Sequence, residues 1–334
     1  MAVSGPAPGR KEDTVEHDRV LVTGGAGFIG SNLVDALLAD GSYTVRVLDS
    51  FVTGRRENLA HCREDIELVE GDIRDVETVE EAVEDVQLVL HQAALPSVSR
   101  SVKAPVTTNA VNVDGTLKLL SAARRAGVRR LVLASSSSVY GDGHELPKNE
   151  EMQPRPMSPY AVTKLAAENF CRVFSEIYGF ETVALRYFNV FGPRQDPTSQ
   201  YSGVIAKFIS CALNGEPYTV YGDGTQSRDF SFIDNIVHAN LLALRAPRMT
   251  GEAINVACGD RIRLLDMVSM LNEFVQLEIP IRFVTPRPGE VSHSQADIRH
   301  AASVLGYAPV VSFRDGLART LAWYRSQRDT TSAV

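Results

Sequence analysis

Thr23-Gly24-Gly25-Ala26-Gly27-Phe28-Ile29-Gly30 follows the apolar run Val20-Leu21-Val22 and opens an amphipathic stretch from Leu33 to Leu38. The order reads as strand, glycine turn, helix. Such a junction aims backbone N–H groups and the positive end of a helix dipole at a pyrophosphate. Gly24 permits the tight turn, Gly27 lets a ligand approach the backbone, and Gly30 lets the helix pack on the strand. The spacing is G-x-x-G-x-x-G, one glycine shifted from the commoner dinucleotide fingerprint. Glycines also mark ordinary turns, so the context matters. The next apolar run, Tyr43-Thr44-Val45-Arg46-Val47-Leu48, leads to Asp49, about 20 residues beyond the glycines, where an acid holds a ribose 2′-OH and repels a 2′-phosphate. The expected cofactor is therefore NAD rather than NADP. Gly24, Gly27, Phe28, Ile29, Gly30 and Asp49 are its candidate contacts. The bland alternative for Asp49 is a turn residue or helix cap.

Working outward, strand-like runs alternate with helical stretches. The expected strands are Arg19–Thr23, Thr44–Leu48, Ile66–Glu70, Leu88–His91, Arg130–Ala134 and Thr182–Tyr187. Among the helical segments, Val106, Ala110, Val113, Leu117 and Leu120 share one face, Arg124 and Arg125 occupy the last turn, and Gly127 stops it. This succession predicts an α/β fold, a Rossmann-type doubly wound parallel sheet whose ligands sit beyond the carboxyl ends of the strands. After Asn189 prolines break the rhythm, although helical patterns remain at Val204–Leu213, Leu264–Val275 and Leu317–Tyr324. We read residues 1–17 as a disordered lead-in and 18–190 as the dinucleotide-binding domain, with about 229–258 threaded back into it. Residues 191–327 form mainly a smaller α/β substrate-binding lobe, and 328–334 a flexible tail.

The composition sets limits. The 334 residues are 44% hydrophobic and 22% charged, with a net charge of −7. That balance gives no general attraction to nucleic acid or an anionic membrane, so an anionic substrate needs a few local arginines. The four cysteines, Cys62, Cys171, Cys211 and Cys258, show no metal-ligand spacing and suit a reducing, cytoplasmic compartment. No metal site is expected. No apolar run approaches the ~18 residues of a membrane span.

Ser158-Pro159-Tyr160-Ala161-Val162-Thr163-Lys164 precedes a helical stretch that ends near Gly179. Positions i and i+4 share a helix face, so Tyr160 and Lys164 can point the same way. A phenol, with a pKa of about 10, is a poor base until a nearby cation favours the phenolate. It can then take a proton from an alcohol while hydride leaves the same carbon. A packed tyrosine beside an exposed lysine is the plain alternative. The run Ala134-Ser135-Ser136-Ser137-Ser138-Val139-Tyr140-Gly141 lies just after a predicted strand, where hydroxyls can meet a substrate hydroxyl. It could equally be a capping loop.

Taken together, Thr23–Gly30, Gly71-Asp72-Ile73-Arg74-Asp75, His91-Gln92-Ala93-Ala94, Asn112-Val113-Asp114-Gly115-Thr116, the serine run, Tyr160 with Lys164, and Arg186-Tyr187-Phe188-Asn189 stand in a familiar order. Over roughly residues 19–325 the chain resembles the extended short-chain dehydrogenases/reductases, and within them the NAD-dependent nucleotide-sugar 4-epimerases. The resemblance implies that Asp72 and Ile73 flank the adenine, that Ala93 lines the cofactor cleft, and that Lys164 also holds the nicotinamide ribose. It assigns the catalytic hydroxyl to Ser136 and a sugar contact to Ser137. Asn189, Arg228 and Arg287 are implied to hold the substrate near its pyrophosphate.

Related dehydratases and decarboxylases carry an acid just after the catalytic hydroxyl, where this chain has Ser137 and Ser138. That favours epimerisation of a UDP-sugar through a transient 4-keto sugar, with NAD staying bound. Ser294 occupies a slot that resembles the bulky tyrosine gate of enzymes restricted to plain hexoses. Arg194, in Gly192-Pro193-Arg194-Gln195, is a candidate partner for a C6 carboxylate. The expectation is a UDP-glucuronate 4-epimerase, with UDP-N-acetylglucosamine or its uronate as the alternative. A net dehydrogenase or reductase and a catalytically silent NAD-binding scaffold are the competing classes. The stretches 105–126 and 159–178 resemble the helix pair of a four-helix dimer interface, which implies a homodimer.

Overall fold

Apolar runs without alternation become strands buried on both faces, and helices must then cover both sides. The computed structural model, which describes residues 17–143, 145–196, 203–285 and 293–332, has that arrangement. Its central strands are β1 (Asp18–Thr23), β2 (Tyr43–Asp49), β3 (Ile66–Glu70), β4 (Leu88–His91), β5 (Arg130–Ser136), β6 (Glu181–Tyr187) and β7 (Ala253–Val256). They pair in parallel in the order β7-β6-β5-β4-β1-β2-β3. The order reverses between β1 and β4, so a crevice opens above their carboxyl ends.

The helices are α1 (Phe28–Asp40), α2 (Val76–Val83), α3 (Val98–Lys103), α4 (Pro105–Asn109), α5 (Thr116–Arg125), α6 (Pro159–Tyr178), α7 (Val204–Asn214), α8 (Ile233–Arg245), α9 (Leu264–Val275), α10 (Arg299–Leu305) and α11 (Phe313–Ser332). Successive strand residues face opposite sides of the sheet. Val20 and Val22 join a core with Leu33 and Leu37 of α1 and Ile236 and Ala239 of α8. Leu21 faces the other core, with Leu119 and Leu120 of α5 and Ala167 and Cys171 of α6. Helix α6 has matched ends. Ser158 Oγ accepts from Ala161 N at 3.1 Å, Pro159 occupies the first turn, and Gly179 closes the last.

Two features differ from the sequence reading. The stretch 105–126 is not one regular helix, because a widened π-type segment over Ala110–Gly115 separates α4 from α5. Asn112 sits inside it and reaches out to Leu95 N at 2.8 Å and Thr163 Oγ1 at 3.1 Å. A Cβ on Gly115 would lie 2.7 Å from the Ile73 side chain, so this glycine lets Ile73 seat against the helix. At the other end α11 continues to Ser332, beyond the expected start of a tail at Arg328. The segment from Leu317 holds no proline or glycine to stop it.

Beyond β6 the smaller lobe is built from short pairings. Residues 218–221 run parallel to 281–284, and 227–228 run antiparallel to 262–263. Residues 190–191 pair with 231–232. These pieces bring Asn189, Arg228 and Ser294 above the sheet, facing the glycine turn.

Candidate active site

A cavity of about 960 Å³ lies over the carboxyl ends of the strands, walled by the glycine turn, the serine run, α6 and the smaller lobe. Its lining holds Gly24, Gly27, Phe28, Ile29, Gly30, Asp49, Asp72, Ile73 and Ala93 toward one end. It also holds Ser136, Ser137, Tyr160 and Lys164, and, from the smaller lobe, Asn189, Arg228 and Ser294. Arg287 lies outside the described residues.

The glycine turn is a backbone cradle. Gly24 has φ +69°, and a Cβ there would come within 2.8 Å of the Ala93 backbone. A Cβ on Gly30 would lie 2.1 Å from the Gly24 carbonyl oxygen. Side chains at these two positions would push apart the backbone that shapes the turn, and the first turn of α1 carries no acid to repel a pyrophosphate. Asp49, at the end of β2, is buried. Its Oδ2 accepts from Ala26 N at 2.9 Å and its Oδ1 from Phe51 N at 2.8 Å. Burial raises its carboxyl above the usual range, and these two amides oppose the shift. Two buried polar atoms in the cavity wall, Gln92 Oε1 and Ser138 Oγ, have no hydrogen-bond partner among the described residues. The glycine cradle, the fixed acid and these polar atoms fit a dinucleotide.

The reactive groups meet where β5 ends. Ser136 caps the short turn Ser137–Tyr140, its Oγ accepting from Ser138 N at 3.2 Å, and its hydroxyl stands near enough to the Tyr160 phenol to act on it. Lys164, one turn along α6 from Tyr160, is buried and donates from Nζ to Ala134 O at 2.8 Å. Burial pushes the Tyr160 phenol above its ordinary value while the Ser136 hydroxyl pulls the other way. Burial also pushes Lys164 down to about 8, against the attraction of Glu168. The ammonium sits 5.9 Å from the centre of the Tyr160 ring. In this structure desolvation therefore outweighs the lowering of the phenol by lysine that the sequence suggested. The carboxylates among the described lining residues are Asp49, Asp72 and Asp196, and the serine run supplies none.

At the other end, Asn189 adopts φ +36° and donates from Nδ2 to Asp229 O at 2.8 Å and to Ser294 Oγ at 3.2 Å. Asp229 is buried and accepts from the backbone N–H groups of Cys258, Gly259 and Ala296. It thereby ties two other loops, at 258–259 and at 296, behind Arg228. Arg194 departs from expectation. It does not line the cavity, because its Nη2 is 2.6 Å from Asp35 Oδ2 on α1. Its backbone, at φ +71°, turns the side chain toward that acid. Beside it, Arg55 and Asp196 pair at 2.5 Å. The loop after Asn189 is thus fastened to the cofactor side of the molecule.

Several lining residues were not among those expected from the sequence. His293 faces the cavity and shares a 2.8 Å hydrogen bond with Ser227 Oγ. Lys148 donates to Gly143 O at 2.6 Å, and Arg100 enters from α3. Lys148 and Arg100 belong to segments without a motif and become neighbours only through the tertiary fold, whereas His293 precedes Ser294 in a segment already marked by the sequence.

A family model described as the NAD dependent epimerase/dehydratase family matches residues 20–257. A UDP-glucose 4-epimerase of Mycolicibacterium smegmatis is 39% identical over 313 residues, covering 92% of this chain and 99% of the relative. Among solved structures, the UDP-N-acetylglucosamine 4-epimerase of Methanobrevibacter ruminantium M1, in complex with UDP-N-acetylmuramic acid, superposes with a TM-score of 0.89. It is 38% identical and covers 93% of this chain and 99% of that one. The UDP-glucuronic acid 4-epimerase of Bacillus cereus, in complex with UDP-glucuronic acid and NAD, gives 0.85 at 33% identity, with coverage of 92% and 99%.

Proposed function

The chain belongs to the NAD dependent epimerase/dehydratase family, and from that premise we propose that it is an isomerase inverting C4 of a UDP-sugar. NAD, when bound, supplies a hydride acceptor that returns the hydride to the same carbon. The residues that would hold it are the Gly24–Gly30 turn, Asp49, Asp72, Ile73, Ala93 and Lys164. Tyr160 takes the proton of the 4-hydroxyl, and Ser136 shares that hydrogen bond. Lys164 supplies the nearby positive charge that favours the phenolate. Asn189, Arg228 and Arg287 would hold the diphosphate, leaving the sugar ring free to turn its opposite face toward the cofactor end of the cavity while its O4 stays within reach of Tyr160. Tyr160 then returns the proton to the inverted oxygen. The observation that carries this reading is the convergence of Ser136, Tyr160 and Lys164 in one cavity with a glycine cradle and an acid fit for NAD.

For the sugar we favour UDP-N-acetylglucosamine. Arg194, the residue that recommended a uronate, is committed to Asp35. Ser294, hydrogen-bonded to Asn189, leaves room for a 2-substituent where a tyrosine would close it. UDP-glucuronate is the rival. Incubating the protein with UDP-N-acetylglucosamine, UDP-glucuronate and UDP-glucose separately, without added cofactor, and following the C4 epimer by proton NMR tests both levels. The highest kcat/KM is expected for the N-acetyl sugar. A highest value for UDP-glucuronate would restore the uronate reading. A stoichiometric need for NAD with every sugar would make the protein a dehydrogenase.

We also propose a homodimer. Val98, Val102, Val106 and Val162, on α3, α4 and α6, are exposed apolar side chains, Val106 at 81%. Their helices include the pair that reads as a dimer interface. Analytical ultracentrifugation of the wild type and of Val106→Asp with Val162→Asp is expected to show a dimer dissociating. Among the described residues no helix is long and apolar enough to cross a membrane, and the four cysteines are unpaired thiols. We place the activity in the cytoplasm on that thiol chemistry.

A further inference from the structure

Tyr160, Lys164 and Glu168 are spaced i, i+4, i+8 along α6, so all three face the same way. Each meets the end of β5. Lys164 Nζ donates to Ala134 O at 2.8 Å, Glu168 Oε1 accepts from the Ser135 hydroxyl, and the Ser136 hydroxyl stands beside the Tyr160 phenol. Two consecutive residues of β5, Ala134 and Ser135, are therefore gripped from one helix face, which sets the next residue, Ser136, beside Tyr160. Serine 135 is not a sugar contact in this arrangement, since its hydroxyl points back to Glu168.

Glu168 is itself fixed from a second direction. Arg186 on β6 donates from Nε to Oε1 at 2.9 Å and from Nη2 to Oε2 at 2.8 Å, and both side chains are buried. Arg186 also donates to the Tyr140 hydroxyl at 2.8 Å, which in turn donates to Asn255 Oδ1 at 2.7 Å. A forked, buried ion pair of this kind holds its carboxylate in one orientation.

Resting on the proposed proton transfer by Tyr160, we propose that Glu168 and Ser135 are positioning residues: the carboxylate holds the end of β5 in register with α6, so that the Ser136 hydroxyl meets the phenol, and it keeps Lys164 charged. The charged and titratable groups facing Lys164 are Tyr160 and Glu168 on its own helix and His91 on β4. Arg186 and Tyr140 lie on the far side of Glu168. Burial holds His91 neutral at working pH, so Glu168 is the negative charge acting on the ammonium.

Two variants separate the register from the charge. Ser135→Ala removes the tether and leaves the Glu168–Arg186 pair intact. It is expected to lower kcat about 10-fold at unchanged KM, without moving the alkaline limb of the kcat–pH profile. Glu168→Gln removes the charge but keeps an amide oxygen that can still accept from the Ser135 hydroxyl. It is expected to lower kcat about 100-fold and move the alkaline limb to lower pH by about one unit. NAD bound per subunit, measured after acid extraction, and Tm are read alongside. Ser135→Ala with wild-type kcat overturns the proposal. So does a kcat loss in Ser135→Ala matched by lost NAD or a collapsed Tm, which would mean general damage. If Glu168→Gln leaves buried Arg186 uncompensated and fails to fold, Ser135→Ala decides alone. Failure here leaves the epimerase reading standing as long as wild type inverts C4 and Tyr160→Phe does not.

Discussion

The two ends of the cavity are made of different materials. The cofactor end is backbone: a turn in which Gly24 and Gly30 admit no Cβ, the first turn of α1, and an acid fixed by two amide N–H groups. The substrate end is side chains drawn from distant segments. Asn189, Arg228 and Ser294 are joined through Asp229 and short pairings. A backbone cradle tolerates almost no substitution but serves any ligand with the same diphosphate. A side-chain wall tolerates substitution and decides which sugar enters. The proton-transfer groups stand between them, on rigid elements common to both.

The largest expected effect falls on that shared centre. Tyr160→Phe should lower kcat at least 10³-fold while bound NAD and Tm stay near wild type. Steady-state kinetics and cofactor extraction check it, and residual turnover near wild type would mean another base. Next comes the rigid side. His91 is held between Thr23 Oγ1 at 2.7 Å and Thr116 Oγ1 at 2.9 Å, and burial pushes it from 6.5 down to about 3. The unfolded chain therefore binds the extra proton between those values. Stability is complete above pH 6.5 and falls as pH drops toward 3, by about 3 kcal/mol at pH 4. Urea unfolding of wild type and His91→Asn at pH 7 and pH 4 should show a flatter pH dependence in the variant. An equal slope would remove His91 from the acid response.

Smaller still, Gly30→Ala places a Cβ 2.1 Å from the Gly24 carbonyl oxygen. It should cost about 1–3 kcal/mol of stability and empty the NAD site. Retention of full NAD occupancy would contradict the cradle. The smallest effect is expected at the seam between the ends. Arg194→Ala breaks the partly exposed pair with Asp35 and should cost under about 1 kcal/mol. It should reduce kcat/KM equally for UDP-N-acetylglucosamine and UDP-glucuronate. A selective loss for the uronate would return Arg194 to the sugar.

What could be read in advance follows the same division. The six central strands expected from apolar runs appear within two residues of their predicted limits, because a strand buried on both faces has a local signature. The glycine turn and the i, i+4 pair of Tyr160 and Lys164 are local as well. The widened turn over 110–115 was not legible, since it depends on Asn112 reaching Leu95 and Thr163 from another part of the chain. Arg194 was misread for the same reason: its partner, Asp35, lies 159 residues away. Ser135 looked like its neighbours until β5 met α6 and one hydroxyl of the run turned inward to Glu168.

The central claim is that hydrogen leaves C4 of the sugar and returns to it without exchanging with water while Tyr160 handles only the hydroxyl proton. Running the reaction in D₂O without added cofactor, and reading the product by NMR, tests this directly. The C4 epimer should form with protium still on C4. Deuterium at that carbon would contradict the account.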